Sequence, residues 1–241
     1  MRSAGLTLVL SARFADRSVR ATLMADRCLL YYITDRGQFT GDEQARRRAL
    51  LDKVAEAARA SVDYIQLREK DLCGREVETL AREAVGIVRQ NSSTTRLLIN
   101  SRVDVALAVG ADGVHLRAGD VTPDEVAEML RAVTPPHTAN FSFVIAASCH
   151  SHEDVTRAES EAVDFAVFAP VFGKSGARQA APAGLAALRL ACQAKIPIIA
   201  LGGVTVKNAA SCLDVGAAGV AGIRLFQENT IEDVVRALRT R

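Results

Sequence analysis

Leu29-Leu30-Tyr31-Tyr32-Ile33-Thr34, followed by the mixed stretch 43–60 and then by Tyr64-Ile65-Gln66-Leu67-Arg68, is the passage whose reading decides the fold. Two short runs, apolar on both faces, flank a longer stretch whose apolar residues recur at helical spacing, which predicts strand, helix, strand. The same unit repeats toward the C-terminus. Further strands are expected at 96–100, 113–116, 143–148, 165–169, 198–202 and 219–223, and further helices at 75–90, 122–133, 153–161, 182–194, 206–215 and 231–239. Val77, Leu80, Ala81, Ala84 and Val88 make one such helical face. Thr122-Pro123-Asp124-Glu125 places a cap, a first-turn proline and acidic residues in the order a helix start requires, and Ser151 with Asp154 repeats the cap pattern. About eight βα units in series predict the α/β class and a closed (β/α)8 TIM barrel. An open doubly wound sheet is the alternative architecture, but no GxGxxG follows the first strand.

With 241 residues, 49% hydrophobic and 24% charged, the chain is long enough to bury one large core. No linker interrupts it after residue 28, so the organisation is a 1–28 N-terminal extension and a 29–241 barrel domain. The apolar run 6–10 is too brief to span a bilayer. Thirty basic residues against 28 acidic ones give a net charge of +2, without the single-sign field that nucleic-acid or membrane binding needs. Aromatics are 5% with no Trp, which removes the usual base-stacking platforms. Neither a nucleic acid nor a membrane is expected as partner; a small polar molecule is. Five cysteines, odd in number and never spaced CxxC, suggest neither disulfides nor a zinc site and point to a reducing cytoplasm.

In such a barrel, polar residues at the C-terminal ends of strands gather at one mouth. The rule selects Gln66-Leu67-Arg68-Glu69-Lys70, Asn100-Ser101-Arg102, His115 with Asp120, Ser148-Cys149-His150, Lys174-Ser175-Gly176, Gly202-Gly203 and Gly222-Ile223-Arg224. Each alone has a plain reading as a solvated charge cluster, a tight turn or a rim salt bridge. Seven strand ends that all present polar or glycine groups favour one site instead. Adjacent glycines after the seventh strand let backbone N–H groups approach an anion, helped by the following helix, and Arg224 offers a planar fork to phosphate oxygens.

At these residues the chain resembles the thiamine phosphate synthase family. The similarity runs from about residue 29 to the C-terminus. It includes Tyr32-Ile33-Thr34-Asp35, Gln66-Leu67-Arg68-Glu69-Lys70, Leu98-Ile99-Asn100-Ser101-Arg102-Val103-Asp104, Gly110-Ala111-Asp112-Gly113-Val114-His115-Leu116, Ser148-Cys149-His150-Ser151, Ala169-Pro170-Val171-Phe172 and Ile198-Ile199-Ala200-Leu201-Gly202-Gly203-Val204. The resemblance implies a transferase that joins hydroxymethylpyrimidine diphosphate to thiazole phosphate, giving thiamine phosphate and pyrophosphate, with Mg²⁺ as cofactor. It implies that Gln66, Arg68 and Lys70 hold the diphosphate, that Asn100 and Ser148 contact the pyrimidine or phosphate, and that Gly202 and Gly203 hold the thiazole phosphate. Asp120 would be a magnesium ligand with Ser101 beside it. Arg68, Lys70, Ser148 and Lys174 are the expected catalytic residues; His150, Ser175, Ile223 and Arg224 complete the expected substrate contacts. A homodimer is compatible with the resemblance.

Three positions depart from the family's pattern. Ser101 stands where the family has a second carboxylate, for which Glu69 is a conceivable substitute. The loop after the sixth strand reads Gly173-Lys174-Ser175-Gly176-Ala177-Arg178 in place of Pro-Thr-x-Thr-Lys. Arg224 stands where a small Ser is expected. These changes bring forward two other readings: a thiazole tautomerase-like enzyme, with His150 as the proton-transfer group, and a non-catalytic barrel that binds a thiamine-related phosphate.

Overall fold

The computed structural model describes residues 27–133, 142–161, 163–173 and 182–240. Eight parallel strands close into a barrel in sequence order: β1 (Leu29–Ile33), β2 (Tyr64–Leu67), β3 (Arg96–Asn100), β4 (Gly113–Leu116), β5 (Val144–Cys149), β6 (Phe165–Phe168), β7 (Ile198–Ala200) and β8 (Gly219–Gly222). β8 returns to pair with β1, matching Leu29 to Gly219 and Tyr31 to Ala221, and this closure excludes the open-sheet alternative. Around the barrel run α1 (Glu43–Arg59), α2 (Gly74–Asn91), α3 (Val103–Val109), α4 (Pro123–Val133), α5 (His152–Ser160), α6 (Gly184–Ala191), α7 (Ala209–Asp214), α8 (Arg224–Gln227) and α9 (Ile231–Arg239), with a 3-10 turn at Arg36–Gln38.

Strand alternation divides the apolar residues into two sets. Leu30, Tyr32, Ile65, Leu97, Ile99, Val114 and Ile145 face outward into the helix ring. Leu29, Tyr31, Ile33, Tyr64, Leu98, Val144, Phe165, Val167 and Ile199 fill the interior. There Tyr31, Tyr64 and Phe165 pack as a trio, with ring centroids 4.7 to 5.9 Å apart. Glycines on two strands admit close approach of a neighbouring strand. A Cβ on Gly219 would lie 2.1 Å from the Leu29 carbonyl oxygen, and one on Gly113 the same distance from that of Val144.

An aspartate device recurs at the N-terminal face. Asp63, Asp112 and Asp164 each stand immediately before an even-numbered strand and accept from the backbone N–H of Leu30, Leu97 and Ile145 on the preceding odd one, at 2.7 to 2.9 Å. Each satisfies a donor whose loss of partner would cost about 1–3 kcal/mol. Arg27 and Arg239 also reach Asp63, so that the last helix is fastened beneath the first strand.

The helix ends obey local chemistry. Thr122 and Glu125 exchange side-chain and backbone hydrogen bonds at the start of α4, and Ser151 with Asp154 forms a capping box on α5. Two helices escape the periodicity reading. α3 has seven residues, six of them apolar, and stops at Gly110 in the left-handed conformation (φ 68°), while α8 is a single turn. The stretch 206–215 forms helix only from Ala209, because the Asn208 side chain accepts from the Thr205 N–H and holds a turn ahead of it.

Gly219→Ala is expected to destabilise the fold by about 1–3 kcal/mol through overpacking. In contrast, Gly86→Ala, where an added Cβ meets nothing within 4 Å on α2, is expected to stabilise it by about 1 kcal/mol. Denaturant unfolding of the two variants measures both.

Candidate active site

Alternation places Gln66, Asn100, His115, Ser148 and Ile223 in phase with the interior residues Tyr64, Leu98, Gly113, Ala146 and Ala221 of their own strands. Because every strand points the same way, these side chains converge on the C-terminal end of the barrel. Gln66 is buried, Asn100 half-buried, and Ile223 packs on the interior cluster.

Beneath them runs a hydrogen-bonded column. The Tyr31 hydroxyl lies 3.0 Å from His115 Nδ1, and His115 Nε2 lies 2.7 Å from Ser148 Oγ. Tyr31 is fully buried and has no other acceptor among the described residues, so its O–H must donate to Nδ1 or go unpaired at a cost of about 1–3 kcal/mol. That fixes the tautomer: Nε2 carries the proton and donates to Ser148, whose own hydroxyl hydrogen is left to aim at a ligand. Burial, then the nearby Arg68 charge, lowers the His115 pKa to about 3, so the ring stays neutral.

The rim above is cationic. Arg68 is half-buried, and its guanidinium makes no ion pair among the described residues; burial pushes its pKa down against the opposing pull of Asp35, and the charge of Arg117 adds to the lowering. Lys70 is exposed on the turn beyond. Glu69, which the sequence offered as a substitute metal ligand, turns the other way. It accepts from Thr34 Oγ1 at 2.6 Å and from Arg36 N and Nη1 at 3.0 and 3.1 Å. Arg36, itself buried, also grips Asp71 and Glu43, so this network is a strut that ties the β1 loop to the β2 loop and orients the turn carrying Arg68 and Lys70.

At the β3–β4 rim, Ser101 is held at φ 62°, a conformation unusual outside glycine. Its Oγ accepts from Asn100 Nδ2 at 3.0 Å and from Arg117 Nε at 2.7 Å, and donates to Asp120. Arg117 also reaches Asp120 through its backbone N–H at 2.7 Å and through Nη2 at 3.3 Å. Burial alone would raise the Asp120 carboxyl, but these hydrogen bonds hold it below the ordinary range. As a magnesium site the pair fits poorly. Both lone pairs of Ser101 Oγ and three of the roughly four acceptor positions of Asp120 are already taken, so an ion there would have to displace Arg117. A cavity of about 350 Å³ runs from this rim to α5, lined in part by Arg117, Asp120, Ser148, Asp154, Arg157 and Glu161.

The remaining residues fall as follows. Gly202 and Gly203 adopt φ of 99° and 63°, and a Cβ on either would press within 2.8 Å of Pro170 or Phe172. The helix expected to lend them its positive end is not adjacent, since α7 starts only at Ala209. Arg224 is exposed at the first position of α8. His150 is exposed, and its Nδ1–H donates to the Ala169 carbonyl at 2.7 Å, which anchors the ring to the β6 loop. Lys174 and Ser175 lie outside the described residues, as do residues 1–26 of the N-terminal extension. Cys149, next to Ser148, faces the helix ring and is no nucleophile: burial pushes its thiol up to about 12. A reading by strand ends selects His115 without a role and passes over Arg117, because their partners lie 84, 33 and 16 positions away in the chain.

The family model described as thiamine monophosphate synthase matches residues 30–226. The chain belongs to this family. A putative thiamine-phosphate synthase 2 of Aquifex aeolicus is 38% identical over 200 residues, covering 83% of this chain and 97% of that one. A thiamine-phosphate synthase of Methanoculleus marisnigri is 36% identical over 216 residues, covering 88% and 94%. Among solved structures, a thiamine phosphate pyrophosphorylase from Pyrococcus furiosus superposes with a TM-score of 0.70 at 28% identity, covering 89% of this chain and 98% of that one.

The His115 assignment carries a pH signature. The unfolded chain takes up a proton at this residue below about pH 6.5, whereas the folded one resists until about pH 3. The unfolded state therefore binds more protons in that window, and stability falls as pH drops through it, by up to about 1.4 kcal/mol per unit. His115→Gln removes this contribution, so its stability deficit relative to the unmodified chain should shrink between pH 7 and pH 4 in denaturant titrations.

Proposed function

We propose that this chain is a thiamine phosphate synthase: it joins hydroxymethylpyrimidine diphosphate to thiazole phosphate and releases pyrophosphate. The observation that carries the reading is the convergence of Gln66, Asn100 and Ser148, from three strands, beneath a rim where Arg68 and Lys70 present positive charge with the neighbouring acid Glu69 turned away to Arg36. Family membership supports it.

In this reading Gln66, Arg68 and Lys70, with Lys174 and Ser175 from the β6 loop, hold the diphosphate. Its departure leaves a positively charged methylene on the pyrimidine, and cations on the leaving oxygens stabilise charge that grows in the transition state. Asn100 and Ser148 hold the pyrimidine, Ser148 as a donor because His115 supplies its incoming hydrogen bond. Gly202 and Gly203, with Ile223 and Arg224, seat the thiazole phosphate and so bring the ring nitrogen to the methylene, removing part of the entropic barrier. The magnesium implied by the resemblance is not carried over, because Arg117 already engages the oxygens meant for it; no step runs through a divalent ion. Five free thiols support a reducing, cytoplasmic setting, and among the described residues no helix is long and apolar enough to cross a membrane.

The full chain incubated with both substrates in the presence of Mg²⁺ should release pyrophosphate and thiamine phosphate in equal amounts. Lys70→Ala should lower kcat by about 10²-fold or more while changing thiazole phosphate affinity by less than about threefold. Equal losses in both would show that Lys70 does not serve the leaving group, and the absence of thiamine phosphate would refute the synthase reading itself.

A further inference from the structure

The rim between β3 and β4 holds a built cation of its own. Arg117 is fixed from two sides, by Ser101 Oγ at Nε and by Asp120 at Nη2, stays half-exposed, and lines a cavity together with Ser148, Asp154, Arg157 and Glu161. Two of its five N–H donors are spent on these anchors. Among the described residues the other three have no partner, and they present the planar fork that matches phosphate oxygens. Arg68 lies within electrostatic range of it and makes no ion pair among the described residues, with the charges of Asp35 and Glu69 acting on it as well.

The local charge balance points the same way. A divalent ion between two carboxylates sums to zero, and so does one guanidinium on one carboxylate. Ser101 in place of a second acid therefore keeps the balance only because Arg117 is there. The serine hydroxyl suits the exchange: it accepts the Nε–H, which an apolar side chain could not, and relays a hydrogen bond to Asp120.

We propose that Arg117, held by Ser101 and Asp120, is the fixed cation that meets the diphosphate of the pyrimidine substrate, in the place the resemblance gives to magnesium, so that this chain performs its transfer without a divalent ion. The inference rests on the synthase reading for the identity of the anion. In the step, the bond from the methylene carbon to the diphosphate oxygen breaks with both electrons going to oxygen, and the thiazole nitrogen lone pair forms the new carbon–nitrogen bond. Arg117 stays protonated throughout and gives up no proton. No further reactant is needed.

The test uses the full chain stripped with EDTA and calorimetric titration with inorganic pyrophosphate. Binding without metal is expected, weakened about tenfold or more by Arg117→Ala and by less in Arg117→Lys, which keeps the charge and loses the fork. Spin-resonance titration with Mn²⁺ alone should find no stoichiometric ion on the unmodified chain, and one bound ion on the doubly substituted Ser101→Asp, Arg117→Ala chain. Pyrophosphate binding that requires Mg²⁺, unchanged affinity in both Arg117 variants, or one Mn²⁺ bound per unmodified chain would each overturn the proposal. Turnover separates it from the reading beneath it. Thiamine phosphate made equally well in EDTA supports Arg117, and thiamine phosphate made only with Mg²⁺ overturns the Arg117 role while leaving the synthase intact. Product under neither condition, with metal-free pyrophosphate binding still dependent on Arg117, refutes the synthase and upholds the cation.

Discussion

Closure of eight parallel strands is the constraint on which everything else in this molecule depends. Once β8 pairs with β1, every strand ends on the same rim, and the period-2 alternation of side chains sends one residue in two toward the axis. The lower interior must then be filled, and Tyr31, Tyr64 and Phe165 fill it, while Gly113 and Gly219 let their strands press against Val144 and Leu29. The upper interior follows in register. Two residues beyond Tyr64, Leu98, Gly113 and Ala146 stand Gln66, Asn100, His115 and Ser148, so the packing that closes the barrel also aims its polar groups.

Core and site meet in Tyr31. Its ring belongs to the aromatic packing and its hydroxyl starts the column through His115 to Ser148, which sets the direction of each hydrogen bond from a group with no choice about where to donate. The rim is organised on the same plan, by side chains whose partners come from another loop. Arg36 holds Glu69 in a network of its own, and Arg68 makes no ion pair among the described residues. Arg117 is anchored by Ser101 across the β3–β4 gap. In each case a buried or bridging polar group fixes the charge of the one beside it.

Much of this was legible in the chain. β3 and β4 have the bounds the apolar runs suggest, and the other strands differ from theirs by one or two residues, because runs buried on both faces stand out against amphipathic helices. α3 was not legible: almost wholly apolar and under two turns long, it has no polar face to reveal its period. Gln66, Asn100 and Ser148 could be chosen by their place at strand ends, since the fold alone dictates where a strand end points. His115 and Arg117 could not be assigned, because their roles are set by Tyr31, Ser148 and Ser101, which only the closed barrel brings near. Glu69 shows the converse. Nothing in its triplet tells that its carboxylate turns to a buried arginine 33 residues earlier. The cap residues Thr122 and Ser151 were legible because capping is decided within four residues.

The central claim is that one rim gathers the anion. A crystal structure of the full chain grown in EDTA with thiamine phosphate and pyrophosphate tests it directly. The account predicts pyrophosphate lying between the Arg68 and Arg117 guanidiniums, with Ser148 Oγ beside the pyrimidine and the thiazole phosphate on the backbone of Gly202 and Gly203. Pyrophosphate lodged at another face, or at this rim with Arg117 swung away from Ser101 and Asp120, would contradict it.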